Sequence, residues 1–198
     1  MNLIRQLTEI DKLFYTISDI EKILHSNEFS KKGSYSRASI YVILNRLIIK
    51  GELIRIFSGI YILPDKFIDI ERIANILYFP SYLSFESALS RYGLVSQIPY
   101  SIIFASMRKT KNIRVGNYNL KYRQIKKPLF FGYEKLENGL YVALPEKSIL
   151  DMLYIISFGK VYFPLDSVDK TKLKPLKLLK LSERYPAHIQ LEVRKFIE

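Results

Sequence analysis

Two short stretches carry the residue types of catalysis. Ser84, Glu86 and Ser87 set two hydroxyls beside a carboxylate, the makings of a nucleophile and a base. Glu146, Lys147 and Asp151 bring two carboxylates and an amine together within about one helical turn. Each group has a simpler structural account. Ser84 precedes the helical run FESALSRY, where a hydroxyl caps the first turn and Glu86 suits the positive end of the dipole. Lys147 and Asp151, four residues apart on one helix, read as an i,i+4 ion pair of about 0.2–0.5 kcal/mol. No third ligand stands at convincing spacing for a metal, and His25 and His188, far apart in sequence, read as surface or helix-end residues. Asp69-Ile70-Glu71 offers the paired acids of a nucleotidyltransferase, but the upstream dipeptide Ser58-Gly59 is reversed, and neither a Walker loop nor a GxGxxG occurs. The expectation is a chain that is not an enzyme, with no catalytic residue, cofactor or metal.

A different chemistry runs through residues 31–63, KKGSYSRASIYVILNRLIIKGELIRIFSGIYIL. Between Glu28 and Glu52 this stretch holds Lys31, Lys32, Arg37, Arg46 and Lys50 and no acid. Ile40, Ile43, Leu44, Leu47 and Ile48 recur at helical spacing, which predicts one buried stripe. Ser36 is the expected N-cap, with Ser34 the alternative, and Gly51 the expected left-handed residue past the end. The opposite face carries Ala38, Ser39, Val42, Asn45 and Arg46, flanked by Arg37 and Tyr41. After Gly51 the period drops to 2, Ser58-Gly59 turns the chain, and residues 60–63 return as a second strand. A helix followed at once by a hairpin predicts a winged helix-turn-helix, its helix in the DNA major groove beside a projecting flap. Arg37, Tyr41, Asn45 and Arg46 would enter the groove, Lys31, Lys32, Arg55 and Ser58 would hold phosphates, and Ser36 is a further candidate DNA contact.

The whole chain is compatible with such a partner. Its 198 residues are 48% hydrophobic, enough for one large or two small cores, and its net charge of +12 favours a polyanionic or acidic partner. Zero cysteines exclude disulfides and thiolate metal sites. The N-terminal MNLIRQLTEIDK lacks the apolar core of a signal peptide, and no apolar run approaches a membrane span, so a cytoplasmic location is expected. Charge is unevenly placed. Residues 1–65 hold nine basic and seven acidic residues, whereas residues 66–125 hold nine and three. From Arg91 to Lys127 there is no acid at all. Arg108, Lys109, Lys111, Arg114, Lys121 and Arg123 gather there as candidates for a phosphate or an acidic partner.

Along the chain, residues 2–13 predict a helix, and Ser18 with Glu21 predicts a capping box opening a second. Pro64-Asp65 suggests the end of a domain at residue 65. Beyond it, Asp69 is the expected cap of a helix closed by Phe79-Pro80, and Ser84 of another closed by Gly93. SIIFAS, NIRV and YNLKYRQI read as strands, with Gly116-Asn117 as a turn, and LFFGY and LYVAL as two more. Pro145 opens a helix through EKSILDMLYIIS, and a last helix begins near Pro186. The expected fold class is α+β: a winged helix over residues 1–65, then a mixed domain over 66–198 with an antiparallel sheet.

Three stretches, in order and spacing, carry a resemblance: RASIYVILNRLIIKGELIRIFSGIYIL, PSYLSFESALSRYGL at 80–94, and FFGYEKLENGLYVALPEKSILDMLY at 130–154. Over roughly residues 12–160 the chain resembles the AbiEi-type antitoxins, regulators of type IV toxin–antitoxin and abortive-infection systems. The tail after about residue 165 lies outside the match, and the near-balanced charge of residues 1–65 departs from a strongly basic reading head. The resemblance implies a winged helix that binds inverted repeats in its own promoter and represses it. It also implies a C-terminal domain that neutralises a separate nucleotidyltransferase-like toxin without requiring a stable complex. Arg37, Asn45, Arg46 and Arg55 are the positions onto which DNA contacts carry over. The competing expectation, from residues 91–127, is a protein-interaction module that grips an acidic partner and uses the winged helix as scaffold.

Overall fold

The computed structural model describes residues 3–26, 35–159 and 161–198, and the chain divides into two compact units, Met1–Ile73 and Ala74–Glu198. The division falls inside a helix, past the expected punctuation at Pro64-Asp65. There the chain does not pause but winds through a 3-10 turn, Pro64–Asp69, directly into that helix. Asp69 therefore ends the 3-10 turn and opens no cap of its own. Both units mix helices and strands, and the fold class is α+β. Among the described residues no helix is long and apolar enough to cross a membrane, and no group of three or more metal-ligating side chains forms.

The first unit starts with α1 (Leu3–Ile10), shorter than the sequence suggests because Asp11 turns left-handed at φ 52°. A two-residue strand β1 (Tyr15–Thr16) follows and leads into α2 (Ile17–His25). The capping box belongs to Thr16 and Asp19, not to Ser18 and Glu21. The extended conformation that β1 imposes on Thr16 is the one an N-cap needs, so the helix starts two residues early. Thr16 Oγ1 accepts from the Asp19 amide, Asp19 Oδ2 accepts from the Thr16 amide, and Lys12 Nζ lies 2.7 Å from Asp19 Oδ1. The Lys12 hydrogen bond, with Thr16 behind it, draws the Asp19 carboxyl down to about 2. Next come α3 (Arg37–Ile49) and the strands β2 (Ile54–Phe57) and β3 (Ile60–Ile62). The sheet order is β1-β3-β2, all antiparallel. Leu7, Tyr15, Ile20, Leu24, Ile40, Leu44 and Tyr61 form one core beneath it.

The second unit takes the end of α4 (Ile70–Leu77) and continues through β4 (Ser81–Leu83), α5 (Phe85–Arg91), β5 (Ser101–Ser106), β6 (Lys111–Val115) and β7 (Tyr118–Gln124). Strands β8 (Tyr133–Lys135) and β9 (Tyr141–Ala143) and helices α6 (Pro145–Ile156), α7 (Pro175–Ser182) and α8 (Ala187–Ile197) complete it. The six strands lie in the order β6-β7-β5-β4-β9-β8. The sheet is mixed and not antiparallel throughout: β5 runs parallel to β7, and β4 to β9. The β6–β7 hairpin explains the first pairing. It docks through β7, whose Leu120 and Tyr122 are fully buried, and this leaves the shorter β6 at the edge. LFFGY is not a strand. Pro128 lies in a 3-10 turn, Lys127–Leu129, and Gly132 at φ +69° bends the chain, so pairing begins only at Tyr133. Phe85, Leu89 and Ile103 pack with Ile149, Leu150 and Leu153 of α6 and with Leu178, Ile189 and Val193 of α7 and α8.

Candidate nucleic-acid interface

Helix α3 forms where the apolar period places it. Ser36 Oγ accepts from the Ser39 amide at 3.2 Å, closing the first turn. At the other end the Gly51 amide donates to Ile48 O and the Glu52 amide to Leu47 O, a complete Schellman motif that needs the left-handed φ of +72° at Gly51. Ile40, Leu44 and Leu47 face the core, while Tyr41, Val42, Asn45, Arg46, Ile49 and Lys50 are exposed. The outward face is therefore a broad stripe of small, amide, aromatic and basic side chains. Ser36 and Arg37 are exposed too, with Arg37 Nε 3.2 Å from Glu21 Oε1 of α2. That pair is largely in solvent and weakly held. Lys31 and Lys32 lie outside the described residues.

The hairpin differs from a free flap. Strand β3 is shared with β1, and the Ile17 amide donates to Gly59 O at 2.9 Å, tying the turn to the start of α2. A bulge between Arg55 and Phe57 breaks the strict alternation expected from sequence. Leu53 and Ile56 face inward, while Arg55, Phe57 and Ser58 are exposed.

Of the catalytic-looking residues, Ser84, Lys147 and Asp151 converge on one another, away from the surface, and Glu86, Ser87 and Glu146 bond elsewhere. Asp151 Oδ2 accepts from Tyr82 Oη at 2.9 Å and from Ser84 Oγ at 2.8 Å, and Oδ1 accepts from Tyr185 Oη at 2.9 Å and from Lys147 Nζ. The i,i+4 pair expected from spacing forms, and both members are wholly buried, so it is a desolvated bridge. The Lys147 ammonium lies over the rings of Phe131, Tyr185 and Tyr82 at 4.9–5.6 Å. Burial pulls Lys147 below the ordinary lysine range and pushes Tyr82 and Tyr185 well above theirs. Ser84 occupies the N-cap position of α5 without capping it, because its hydroxyl is committed to Asp151. Phe85, the first helical residue, is held at φ 54°. Ser87 Oγ accepts from the Ile103 amide, and Glu146 Oε1 from the Lys174 amide. The sequence points to Ser84 and to the Lys147–Asp151 pair separately; Tyr82 and Tyr185, 69 and 34 residues from Asp151, carry no local signal of their role.

 Only the packing of β4 and of the segment after α7 around α6 brings those two phenols to Asp151.

The basic stretch is divided by the sheet. Arg123 makes two hydrogen bonds to Glu86, at 2.9 and 3.0 Å, and lies over the Phe85 ring, so its guanidinium is engaged inside the unit. Arg108 and Lys111 lie over the Tyr78 ring, whose hydroxyl donates to Lys109 O. Arg114 and Lys121 point from the opposite face and are exposed.

No family model and no curated protein matches the sequence. Among solved structures, the chain is similar to the crystal structure of the RV2827C protein from Mycobacterium tuberculosis, with a TM-score of 0.64 at 13% identity, covering 98% of this chain and 74% of that one. At that identity the likeness speaks for the fold alone.

Proposed function

We propose that the protein is a DNA-binding autorepressor and the antitoxin of a type IV toxin–antitoxin pair, with its first unit acting as a winged helix-turn-helix. The observation that carries this reading is the outward face of α3, where Tyr41, Asn45 and Arg46 are exposed beside the Arg55 and Ser58 of a hairpin. Asn and Arg have the paired donors and acceptors that read base edges in a major groove, and Tyr and Ser reach phosphates. Ser36, at the helix N-terminus, would meet a phosphate at the positive end of the helix dipole, and Arg37 beside it would enter the groove. The toxin-neutralising role of the second unit rests on the resemblance of residues 80–94 and 130–154. Those stretches hold Tyr82, Ser84, Lys147 and Asp151, which build the unit's interior and leave its surface to meet a partner. No chemical step belongs to this reading.

The test is a gel-shift titration against the protein's own upstream region and against random duplex at 150 mM salt. The expected result is at least tenfold preference for the upstream fragment, lost in the Arg37→Ala/Arg46→Ala variant. Equal affinity for both duplexes would remove the repressor. Rescue of growth on co-expression with the neighbouring gene product tests the antitoxin half, and that double variant is expected to retain rescue.

A further inference from the structure

The second unit exposes a patterned surface that a duplex-reading first unit does not use. In the β6–β7 ladder Asn112 lies opposite Lys121 and Arg114 opposite Asn119, so the four side chains share one sheet face. They alternate as a checkerboard of cation and amide, with cross-strand neighbours about 5 Å apart at Cβ. Asn112, Arg114 and Lys121 are exposed and Asn119 is half-buried. The four line a groove of about 320 Å³ whose margin is Tyr100, itself 88% exposed. Arg114 Nε makes a single long bond, 3.4 Å, to Gly116 O of its own turn. No acid occurs between Arg91 and Lys127, and the nearby Glu86 is already held by Arg123.

We propose that this face, Asn112, Arg114, Asn119 and Lys121 with Tyr100 at its edge, binds a short single-stranded nucleic acid. Arg114 and Lys121 would neutralise phosphates. The amides, each donor and acceptor at once, would meet the Watson–Crick edges of unpaired bases. Tyr100 offers a ring on which one base stacks, the device that single-strand binders share. A major groove admits a two-stranded ribbon, but here β7 is also paired with β5 and the hairpin is part of a six-stranded sheet, which favours unpaired over paired substrate. An acidic protein segment would engage the two cations and could bond the amides, but it brings no base to stack on the outward ring, so it is the weaker fit. The site stands in the second unit and is independent of the reading proposed for α3.

The experiment uses the full chain and fluorescein-labelled 12-mers of single-stranded RNA, single-stranded DNA and duplex DNA of random sequence, with a poly-glutamate peptide as competitor, titrated at 50–200 mM salt. Single strands are expected to bind; the RNA and DNA arms report whether the 2′-hydroxyl matters. Tyr100→Ala is expected to lose about tenfold and Tyr100→Phe to retain affinity. Arg114→Gln/Lys121→Gln is expected to lower the salt slope by about 1.4. Arg37→Ala/Arg46→Ala should leave single-strand binding unchanged, so failure here and failure of the repressor are read separately. The inference is overturned if Tyr100→Ala binds like wild type, if duplex of random sequence binds as tightly as single strand in the Arg37→Ala/Arg46→Ala background, or if poly-glutamate displaces the RNA at equal charge concentration.

Discussion

Helices α3 and α6 have similar lengths, 13 and 12 residues, and similar make-up, branched aliphatics mixed with a few charges and a serine. Their surroundings differ. In α3 the core takes Ile40, Leu44 and Leu47 and leaves the other sides open, whereas α6 is buried without a break from Glu146 to Tyr154. The difference decides what a charge can do. Taking an ion out of water costs several kcal/mol, so Lys147 and Asp151 persist only because each meets the other and three hydroxyls complete the set. Nothing is left over for a ligand. Arg46 and Asn45 on α3 face solvent, and their hydrogen-bonding capacity is available to a partner. A charge-bearing helix thus reads as scaffold or as interface according to how much of its circumference is enclosed.

The sharpest way to break that comparison is to remove the acceptor at the centre of the enclosed helix. Asp151→Ala leaves the Lys147 ammonium and the hydroxyls of Tyr82, Ser84 and Tyr185 without their common partner. The expected loss is about 3–5 kcal/mol of stability, measured by urea unfolding and assigned to Ala74–Glu198 by hydrogen exchange. Lys147→Met/Asp151→Asn removes both charges but keeps an acceptor for the hydroxyls, and should cost less than Asp151→Ala alone. If the double variant proves the worse of the two, the network is not held together by charge pairing.

The glycines offer a second contrast. Gly51 and Gly132 are both left-handed, at φ +72° and +69°, but a Cβ at Gly51 would meet nothing within 4 Å, whereas one at Gly132 would come within 3.2 Å of the Lys147 side chain. Gly51→Ala should cost about 1–2 kcal/mol, the conformational term alone. Gly132→Ala should cost more, because the lysine it would press is enclosed on every side. Equal losses at the two positions would show that the Lys147 side chain has room to move.

How much of this was legible in the sequence follows from the same physics. The α3 stripe, the Ser36 cap, the Gly51 terminus and the Ser58-Gly59 turn are local: each depends on residues within a turn or two, and each stands where spacing placed it. The Pro145 start and Gly116-Asn117 turn were local in the same way. What was hidden depends on distant chain. Thr16 became a cap because β1 pairs with β3, some 45 residues on. Helix α7 and strands β1 and β4 were too short, or too evenly apolar, to declare a period. Arg123 looked available until Glu86 was brought to it from the next layer. The ion pair of α6 was readable as a pair but not as a buried one, since its wrapping by Phe131 and Tyr185 comes from other elements.

Acid and alkali should act on the two units differently. Asp19 has its pKa depressed in the folded state to about 2, so its contribution is present above the unfolded value near 4 and is lost as pH falls from there toward 2. Protection factors of α2 amides, taken relative to the intrinsic exchange rate at each pH, should therefore fall through that window, and Asp19→Asn should flatten the dependence. Tyr82 and Tyr185 are shifted the opposite way. Their raised values contribute stability that is full below about pH 10, where free tyrosine ionises, and is lost as pH climbs beyond it. Unfolding of Ala74–Glu198 should become easier above that point.

The smallest expected effect lies at the open helix, where Glu21 of α2 pairs with Arg37. Because Arg37 is mostly in solvent, Glu21→Gln should change stability by less than about 0.5 kcal/mol in thermal unfolding. Its consequence belongs to binding. Removing one negative charge beside the outward face of α3 raises the local positive potential, so, if the proposed reading of that face holds, affinity for any duplex should rise a few-fold at 50 mM salt. At 0.5 M salt the Debye length is down to about 4 Å and the gain should vanish. A salt-independent gain would mean that Glu21 instead holds Arg37 away from a specific contact, and the comparison between an open and an enclosed helix would then have to include a restrained charge on the open one.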